Sequence, residues 1–267
     1  MTEPAVEALG LARSELTRRL NVIGSSDWEK ATPCTEWNVR QLVNHVVGLQ
    51  HRVARLVCGG SRDEYVATRE DDWIGVDHTT AWHVGVRALD AAITNARSLD
   101  IPVAYRLPMS ARGVIGLTAF DTAVHTWDVS RAIGFDEQLD DGLVEFALGF
   151  MDWIRSEPQL MVLFDSPKGH LEKASAQARL LQLAGRDPSR PPALPPDVAA
   201  ATHLPCKGSH GTDRQRRLQE LPGWSWDAPC RRVEGCLSRL QDYGSCIMTP
   251  CGLPVERNSS DAMTTRL

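Results

Sequence analysis

Apolar residues recur at three- and four-residue intervals through residue 155, a spacing that is typical of amphipathic α-helices. The pattern predicts five helices, near residues 4–24, 39–57, 80–98, 112–133 and 140–155. Between the third and fourth of them, Pro102, Pro108 and Gly113 predict an extended crossover or a short hairpin over residues 101–113. The expected fold class is therefore all-α, a four-helix bundle with one long connection.

The second predicted helix has clear boundaries. Asn38 and Gln41 have the spacing of a capping box, so the helix should begin near Val39, and the glycine pair at 59–60 should end it. Its apolar positions repeat every three or four residues, as in bundle helices. They are Val39, Leu42, Val46, Leu49, Val53 and Leu56.

The fourth predicted helix carries two ionisable residues on an apolar stripe. Asp121 and His125 lie four residues apart in VIGLTAFDTAVHTWDVSRAIG (114–134), so their side chains share one helix face. Burying both groups is costly unless each finds a partner, and one divalent metal ion can serve both. The helix alone leaves a hydrogen-bonded pair as an equal alternative, which a third ligand would decide.

His45 is the candidate third ligand. It lies about 70° from the centre of the apolar stripe of the second helix and can face the interior, whereas His51 lies on nearly the opposite side and should contact water. An ordinary hydrogen-bonded core histidine would have the same position. The residues of this helix do not decide between these interpretations.

Two segments resemble a known family. TPCTEWNVRQLVNHVVG (32–48) and FDTAVHTWDVSRAIG (120–134) are similar to the metal-binding domain of the DinB-like superfamily, in the branch of the mycothiol-dependent maleylpyruvate isomerase N-terminal domain. The resemblance covers about residues 1–187. It implies an up-down-down-up helix order and one divalent ion held by His45, Asp121 and His125. The isomerase itself is similar but has Glu where this chain has Asp121.

The ligand set and the resemblance together indicate a class of chemistry. Two imidazoles and one carboxylate leave coordination positions open, as in catalytic sites. Zinc is the expected ion, although nickel, iron(II) and manganese accept the same ligands. The resemblance implies that mycothiol is the cosubstrate and that the protein is a transferase or isomerase acting on a small electrophile. A divalent ion would serve such a reaction, since it deprotonates a bound thiol.

A noncatalytic function is the alternative. Nothing after residue 188 resembles the second, sterol-carrier-like domain that follows in the isomerase. In this alternative the protein is a metal-binding or stress-response bundle without catalytic activity, and its C-terminal tail mediates association with a partner.

Two residues near the candidate ligands have open roles. Asp128, one turn beyond His125, is predicted to orient that imidazole, to cap the site, or to form a salt bridge with Arg131. Cys34 precedes the second helix and is expected to be a partly buried thiol whose pKa a helix N-terminus can lower.

Composition indicates an ordinary soluble chain. It has 267 residues, 42% of them hydrophobic, and a net charge of −5. No apolar stretch approaches the roughly 20 residues of a membrane span, and the N-terminus lacks the basic region of a signal peptide. We expect a cytoplasmic protein with no membrane partner, and we leave a homodimer as an open assembly state. Seven cysteines, an odd number, argue against a disulfide framework.

The chain after the bundle is different in character. Six prolines in residues 185–211 indicate a linker, placed at 188–212. Residues 213–254 resemble one incomplete helicase-associated repeat through LPGWSWDA (221–228) and LSRLQDY (237–243), and residues 255–267 are expected to be a disordered tail. A nonfunctional fused tail is an equal alternative, since repeat modules need neighbours to bury a core. The net charge of +2 after residue 185 gives little support for a nucleic-acid partner.

Overall fold

The computed structural model describes residues 3–105, 108–157, 166–167 and 174–190. Within them it contains seven α-helices and one β-hairpin, which confirms the all-α prediction. The elements are α1 (Pro4–Leu20), α2 (Val39–Val57), α3 (Arg62–Ala67), α4 (His78–Asn95), β1 (Pro102–Ala104), β2 (Pro108–Ser110), α5 (Ala111–Ile133), α6 (Asp141–Ser156) and α7 (Ala176–Leu183).

Helix boundaries follow local side-chain chemistry. The predicted capping box of α2 is present, because the Asn38 side chain accepts from the Gln41 amide and the Gln41 side chain accepts from the Asn38 amide. A second capping box, Ser61 with Glu64, begins the short helix α3, which the apolar periodicity did not predict. Gly134 ends α5 in a left-handed conformation, with φ of 72°, that glycine adopts without strain.

The predicted crossover is a hairpin. Strands β1 and β2 pair antiparallel, with Val103 opposite Met109, and both of these side chains are buried. The hairpin leads directly into α5, whose first turn is capped by the Ser110 hydroxyl. The prolines at both strand starts are compatible with this two-stranded arrangement, because each strand has an unpaired edge.

Helices α1 and α5 run in the same direction. At their C-terminal ends, Arg19 donates to the Ser130 hydroxyl, and at their N-terminal ends Arg112 pairs with Glu3. Of the helix pairs in the described part of the chain, this one makes the most extensive contact. The two helices therefore form one half of the bundle.

Helices α2 and α4 run opposite to that pair. Asp90, near the end of α4, forms an ion pair with Arg13 of α1, while the start of α4 places His78 against the carbonyl of Leu20. His45, in the first half of α2, faces the second half of α5. In chain order α1, α2, α4 and α5 are thus up, down, down and up, as the resemblance implied.

Helix α5 is the central helix of the bundle. Seventeen of its 23 residues are buried, because α1, α2 and α6 all pack on it. Trp127 is 1% exposed. Ionisable groups on this helix are therefore in contact with neighbouring helices on several sides.

No helix among the described residues has the length and apolarity needed to cross a membrane.

One buried arginine ties the C-terminal ends of α1 and α5 together. The Arg19 Nε donates to the Ser130 hydroxyl, and Nη2 donates to the carbonyls of Asp136 and Gln138 at 2.9 and 2.7 Å. Nη1 pairs with the carboxylate of Glu15. Because the Arg19 side chain is fully buried, its removal leaves these acceptors without a donor.

We expect the Arg19→Met variant to lose about 3–5 kcal/mol of unfolding free energy, the cost of breaking a buried ion pair by removing one partner. Chemical denaturation measures this change. Arg18→Met is the matched control, since the Arg18 guanidinium is half exposed where it contacts Asp136 and Glu15, and about 0–1 kcal/mol is typical of an ion pair that water reaches. Equal losses in both variants would contradict the assignment.

Candidate metal centre

The structure brings His45, Asp121 and His125 together on the facing sides of α2 and α5. Asp121 Oδ2 lies 3.2 Å from His45 Nε2, and Asp121 Oδ1 lies 3.6 Å from His125 Nε2. The two imidazole rings meet edge to face at 5.2 Å. One donor atom from each residue lies within 4.8 Å of the other two. The three residues singled out in the sequence therefore form one cluster.

The cluster is open on one side. The side chains of His45 and Asp121 are 20% and 29% exposed, whereas His125 is 7% exposed. Trp37 forms one wall, because its indole stacks on His45 at 4.5 Å and lies tilted against His125 at 5.7 Å. Sequence reasoning missed this role of Trp37, although an aromatic residue directly before the helix cap was visible.

Asp128 contacts the His125 ring on the side opposite Asp121. The His125 Nδ1–H donates to Asp128 Oδ2 at 3.0 Å, which leaves Nε2 directed toward Asp121. This is the hydrogen bond by which Asp128 was expected to orient His125. The alternative salt bridge with Arg131 is wrong, because Arg131 pairs with Glu137 and its guanidinium lies over the Trp127 ring.

The partner of Asp128 comes from a distant part of the chain. Arg186, in the turn after α7, donates from Nε to Asp128 Oδ1 at 3.2 Å and from Nη2 to Oδ2 at 2.6 Å. The Asp128 side chain is fully buried and Arg186 nearly so. Arg186, Asp128 and His125 therefore form a continuous buried chain of charge-assisted hydrogen bonds.

The cluster shifts the ionisation of its members. Burial lowers the pKa of His45 more strongly than Asp121 raises it, so the imidazole is neutral at neutral pH. Burial alone would raise the pKa of Asp121, but His125 and His45 outweigh it and hold that pKa well below its usual range. The cluster thus presents a neutral imidazole and a carboxylate, the forms that bind a metal ion.

The ionisation of Asp128 follows from its partners. Burial would raise the pKa of this carboxyl, but Arg186 and His125 outweigh burial and lower it. For Arg186, burial would lower the guanidinium pKa, and the ion pair with Asp128 raises it instead. Both groups are therefore ionised, and Asp128 acts only as an acceptor.

Cys34 lies beside this chain and forms a second group of possible ligands with His125 and Asp128. The Cys34 side chain is buried, more fully than the sequence suggested. A cation bound here would compete with Arg186 for the Asp128 carboxylate and with the Nδ1 proton of His125. The open cluster of His45, Asp121 and His125 is therefore the better candidate centre.

The other histidine prediction on α2 needs correction. His51 is half-buried rather than fully exposed, because Trp73 from the α3–α4 connection stacks on its ring at 4.8 Å. The helical angle placed His51 correctly on the side away from the α2–α5 contact. It gave no information on a loop that covers that side.

The fold and the cluster together define a class of protein: a helical bundle with an open histidine–carboxylate cluster between two antiparallel helices. Residues 9–130 match the family described as "Mycothiol maleylpyruvate isomerase N-terminal domain". This match supports the resemblance to the DinB-like superfamily, and it contains His45, Asp121, His125 and Asp128. It gives no support to the helicase-associated resemblance of residues 213–254, which lie outside the described residues, as does most of the predicted linker.

Two relatives are uncharacterized proteins of Mycobacterium tuberculosis, from strains H37Rv and CDC 1551. Each is 29% identical over 115 residues, which are 42% of this chain and 58% of the relative. The chain thus spans little more than half the length of the curated relatives that it matches. No solved structure matches the chain significantly.

Proposed function

We propose that His45, Asp121 and His125 hold one divalent metal ion and that the protein uses it with a low-molecular-weight thiol, mycothiol, on a small electrophile. The observation that carries the proposal is the convergence of two imidazole nitrogens on one carboxylate at an open site. Zinc is the expected ion. When bound, such an ion supplies a Lewis-acid centre that lowers the pKa of a coordinated thiol.

The donor set fits a metal ion in chemistry and spacing. Each imidazole Nε2 approaches a different oxygen of the Asp121 carboxylate, at 3.2 Å for His45 and 3.6 Å for His125, and one donor atom of each residue lies within 4.8 Å of the other two. His125 Nδ1 lies 3.0 Å from the Asp128 carboxylate, and this contact holds the ring with Nε2 directed toward Asp121. His45 is neutral by burial.

The surroundings suit a thiol and a second small molecule. The exposed edges of His45 and Asp121 leave room for exchangeable ligands, and Trp37 offers an aromatic surface beside them. The name of the matched family supports mycothiol as the thiol. In this proposal Asp121 and the two histidines bind the ion, Asp128 holds the His125 ring in place, and Trp37 limits the access of water.

The test uses the full-length protein loaded with zinc, incubated with mycothiol and a panel of small electrophiles. We expect thiol consumption above the uncatalysed rate, and its loss in the His125→Ala variant. His83→Ala is the matched control, because His83 is exposed on α4 and should leave turnover unchanged. Tight zinc binding without any thiol turnover would refute the enzymatic part and leave a noncatalytic metal-binding bundle.

A further inference from the structure

The bundle holds a second group of possible metal ligands, more deeply buried than the open cluster. One donor atom each of Cys34, His125 and Asp128 lies within 4.8 Å of the other two. All three residues are buried, and Asp128 is completely so. We call this group the inner cluster. Ligands that are closed off from solvent are typical of sites that retain an ion, whereas catalytic sites keep a coordination position open.

The turn before α2 places the Cys34 sulfur in the inner cluster. The Thr32 hydroxyl lies within hydrogen-bond distance of the carbonyls of Cys34 and Trp37, at 2.9 and 2.8 Å, and the Trp37 amide donates to the Cys34 carbonyl at 2.9 Å. The same turn directs the Trp37 indole against His125 and the Cys34 side chain toward Asp128. A hydrogen-bonded turn therefore sets the position of the thiol.

The inner cluster already holds one positive charge, the Arg186 guanidinium. This group donates to both oxygens of Asp128, at 3.2 and 2.6 Å. Burial would lower the pKa of Arg186, but Asp128 outweighs burial and raises it, and Cys34 adds to the rise. The carboxylate and the sulfur thus act together on a cation at this place. A divalent ion that replaced the guanidinium would meet the same two groups.

Arg186 is placed where it can leave the cluster. It lies in the turn after α7, not within a helix, and Ser189, three residues further on, is exposed. Another of its hydrogen bonds is local, from Nη1 to the Ala184 carbonyl at 2.8 Å. The guanidinium can therefore be released without unfolding a helix. Only an ion that binds sulfur strongly would replace it, because hard ions such as Mg²⁺ and Ca²⁺ prefer oxygen ligands.

We infer that the inner cluster is a second metal site, which takes a thiophilic divalent ion on Cys34, His125 and Asp128 in exchange for the Arg186 guanidinium. On binding, the Cys34 thiol releases its proton to solvent and a sulfur–metal bond forms. His125 Nδ1 lies 3.0 Å from Asp128 and faces this site, while Nε2 faces Asp121 in the open cluster. Ions at the two sites would share one imidazole, but the inner site does not depend on the proposed function.

The experiment titrates Cd²⁺ into the metal-free full-length protein, with the five cysteines beyond residue 200 replaced by serine so that Cys34 and Cys58 are its only thiols. Sulfur-to-cadmium charge-transfer absorption in the ultraviolet reports a thiolate ligand, to which an ion in the open cluster does not contribute. We expect one equivalent of Cd²⁺ to produce this absorption and Mg²⁺ to produce none. Cys34→Ser should abolish it. Cys58→Ser, the matched control at the end of α2, should retain it.

A second variant tests the exchange with the resident cation. Arg186→Met in the same background should lower the dissociation constant of Cd²⁺ by about tenfold or more, because the ion no longer competes with a buried ion pair. Cd²⁺ should also raise the melting temperature of this variant more than that of its background, since the ion supplies the missing partner of Asp128. Arg179→Met, which removes an exposed arginine of α7, should leave cadmium affinity unchanged.

Three results would overturn the inference. They are the lack of any charge-transfer absorption, its persistence in Cys34→Ser, and equal cadmium affinity with and without the Arg186 guanidinium. Failure of the proposed function has a different signature. His45→Ala alters only the open cluster and should leave the cadmium absorption unchanged, and this absorption would still appear in a protein whose open cluster failed to bind zinc.

Discussion

The His125→Ala variant is expected to bind zinc about 100- to 1000-fold more weakly than the wild type. Structural zinc binding supplies about 10–16 kcal/mol over four ligands, so one ligand contributes roughly 2.5–4 kcal/mol. His125 is the most deeply buried of the three candidate ligands, and its ring is fixed by Asp128. A water molecule replacing the imidazole would have neither advantage. Competition with a chromogenic zinc chelator measures the change.

The same measurement includes two comparisons. His45→Ala should give a loss of similar size, because its neutral imidazole faces the same carboxylate. His83→Ala, an exposed histidine on α4, should bind zinc as the wild type does. If His125→Ala and His83→Ala retained zinc equally, the ion would be held elsewhere and the proposed centre would be wrong.

The Asp128→Asn variant is expected to have a double effect. It leaves the buried Arg186 guanidinium without its anion, which costs about 3–5 kcal/mol of unfolding free energy. It also weakens the acceptor of the His125 Nδ1–H, for which a loss of about 10- to 100-fold in metal affinity is typical. Denaturation of the metal-free protein and zinc titration of the folded protein measure the two effects separately.

A double variant separates stability from metal binding. Asp128→Leu combined with Arg186→Met removes both charges, so most of the lost stability should return, while the zinc affinity should stay low because His125 still lacks its acceptor. Asp72→Asn is the control for the loss of a surface carboxylate that pairs with an arginine, with an expected change of less than about 1 kcal/mol. A double variant with wild-type zinc affinity would show that Asp128 does not position His125.

Local signals predicted the helices well where caps and periodicity agree. Asn38 and Gln41 fix the start of α2, and its end at Val57 precedes the glycine pair as expected. On α5 the periodicity indicated one buried stripe, yet the helix is buried almost all round. A sequence pattern shows which residues are apolar, but the number of neighbours that cover them is a property of the assembled bundle.

The candidate site was predictable in its three convergent residues and not in what surrounds them. The spacing of Asp121 and His125 is a short-range signal, whereas Arg186 reaches Asp128 across 58 residues. The position of the Trp73 indole over Gly48 likewise depends on the path of a loop, which short-range sequence signals do not predict. Arg52 has the sequence context of an ordinary surface arginine, and only the folded chain shows that it is buried with no ion pair to a carboxylate of the described residues.

The origin of Arg186 bears on how the protein can be divided. The family match ends at residue 130, while the cation that neutralises Asp128 follows α7. A fragment trimmed to the matched segment would keep all three candidate ligands and lose the counterion of the residue that holds one of them. A fragment that is to keep this ion pair must therefore extend past α7 to include Arg186.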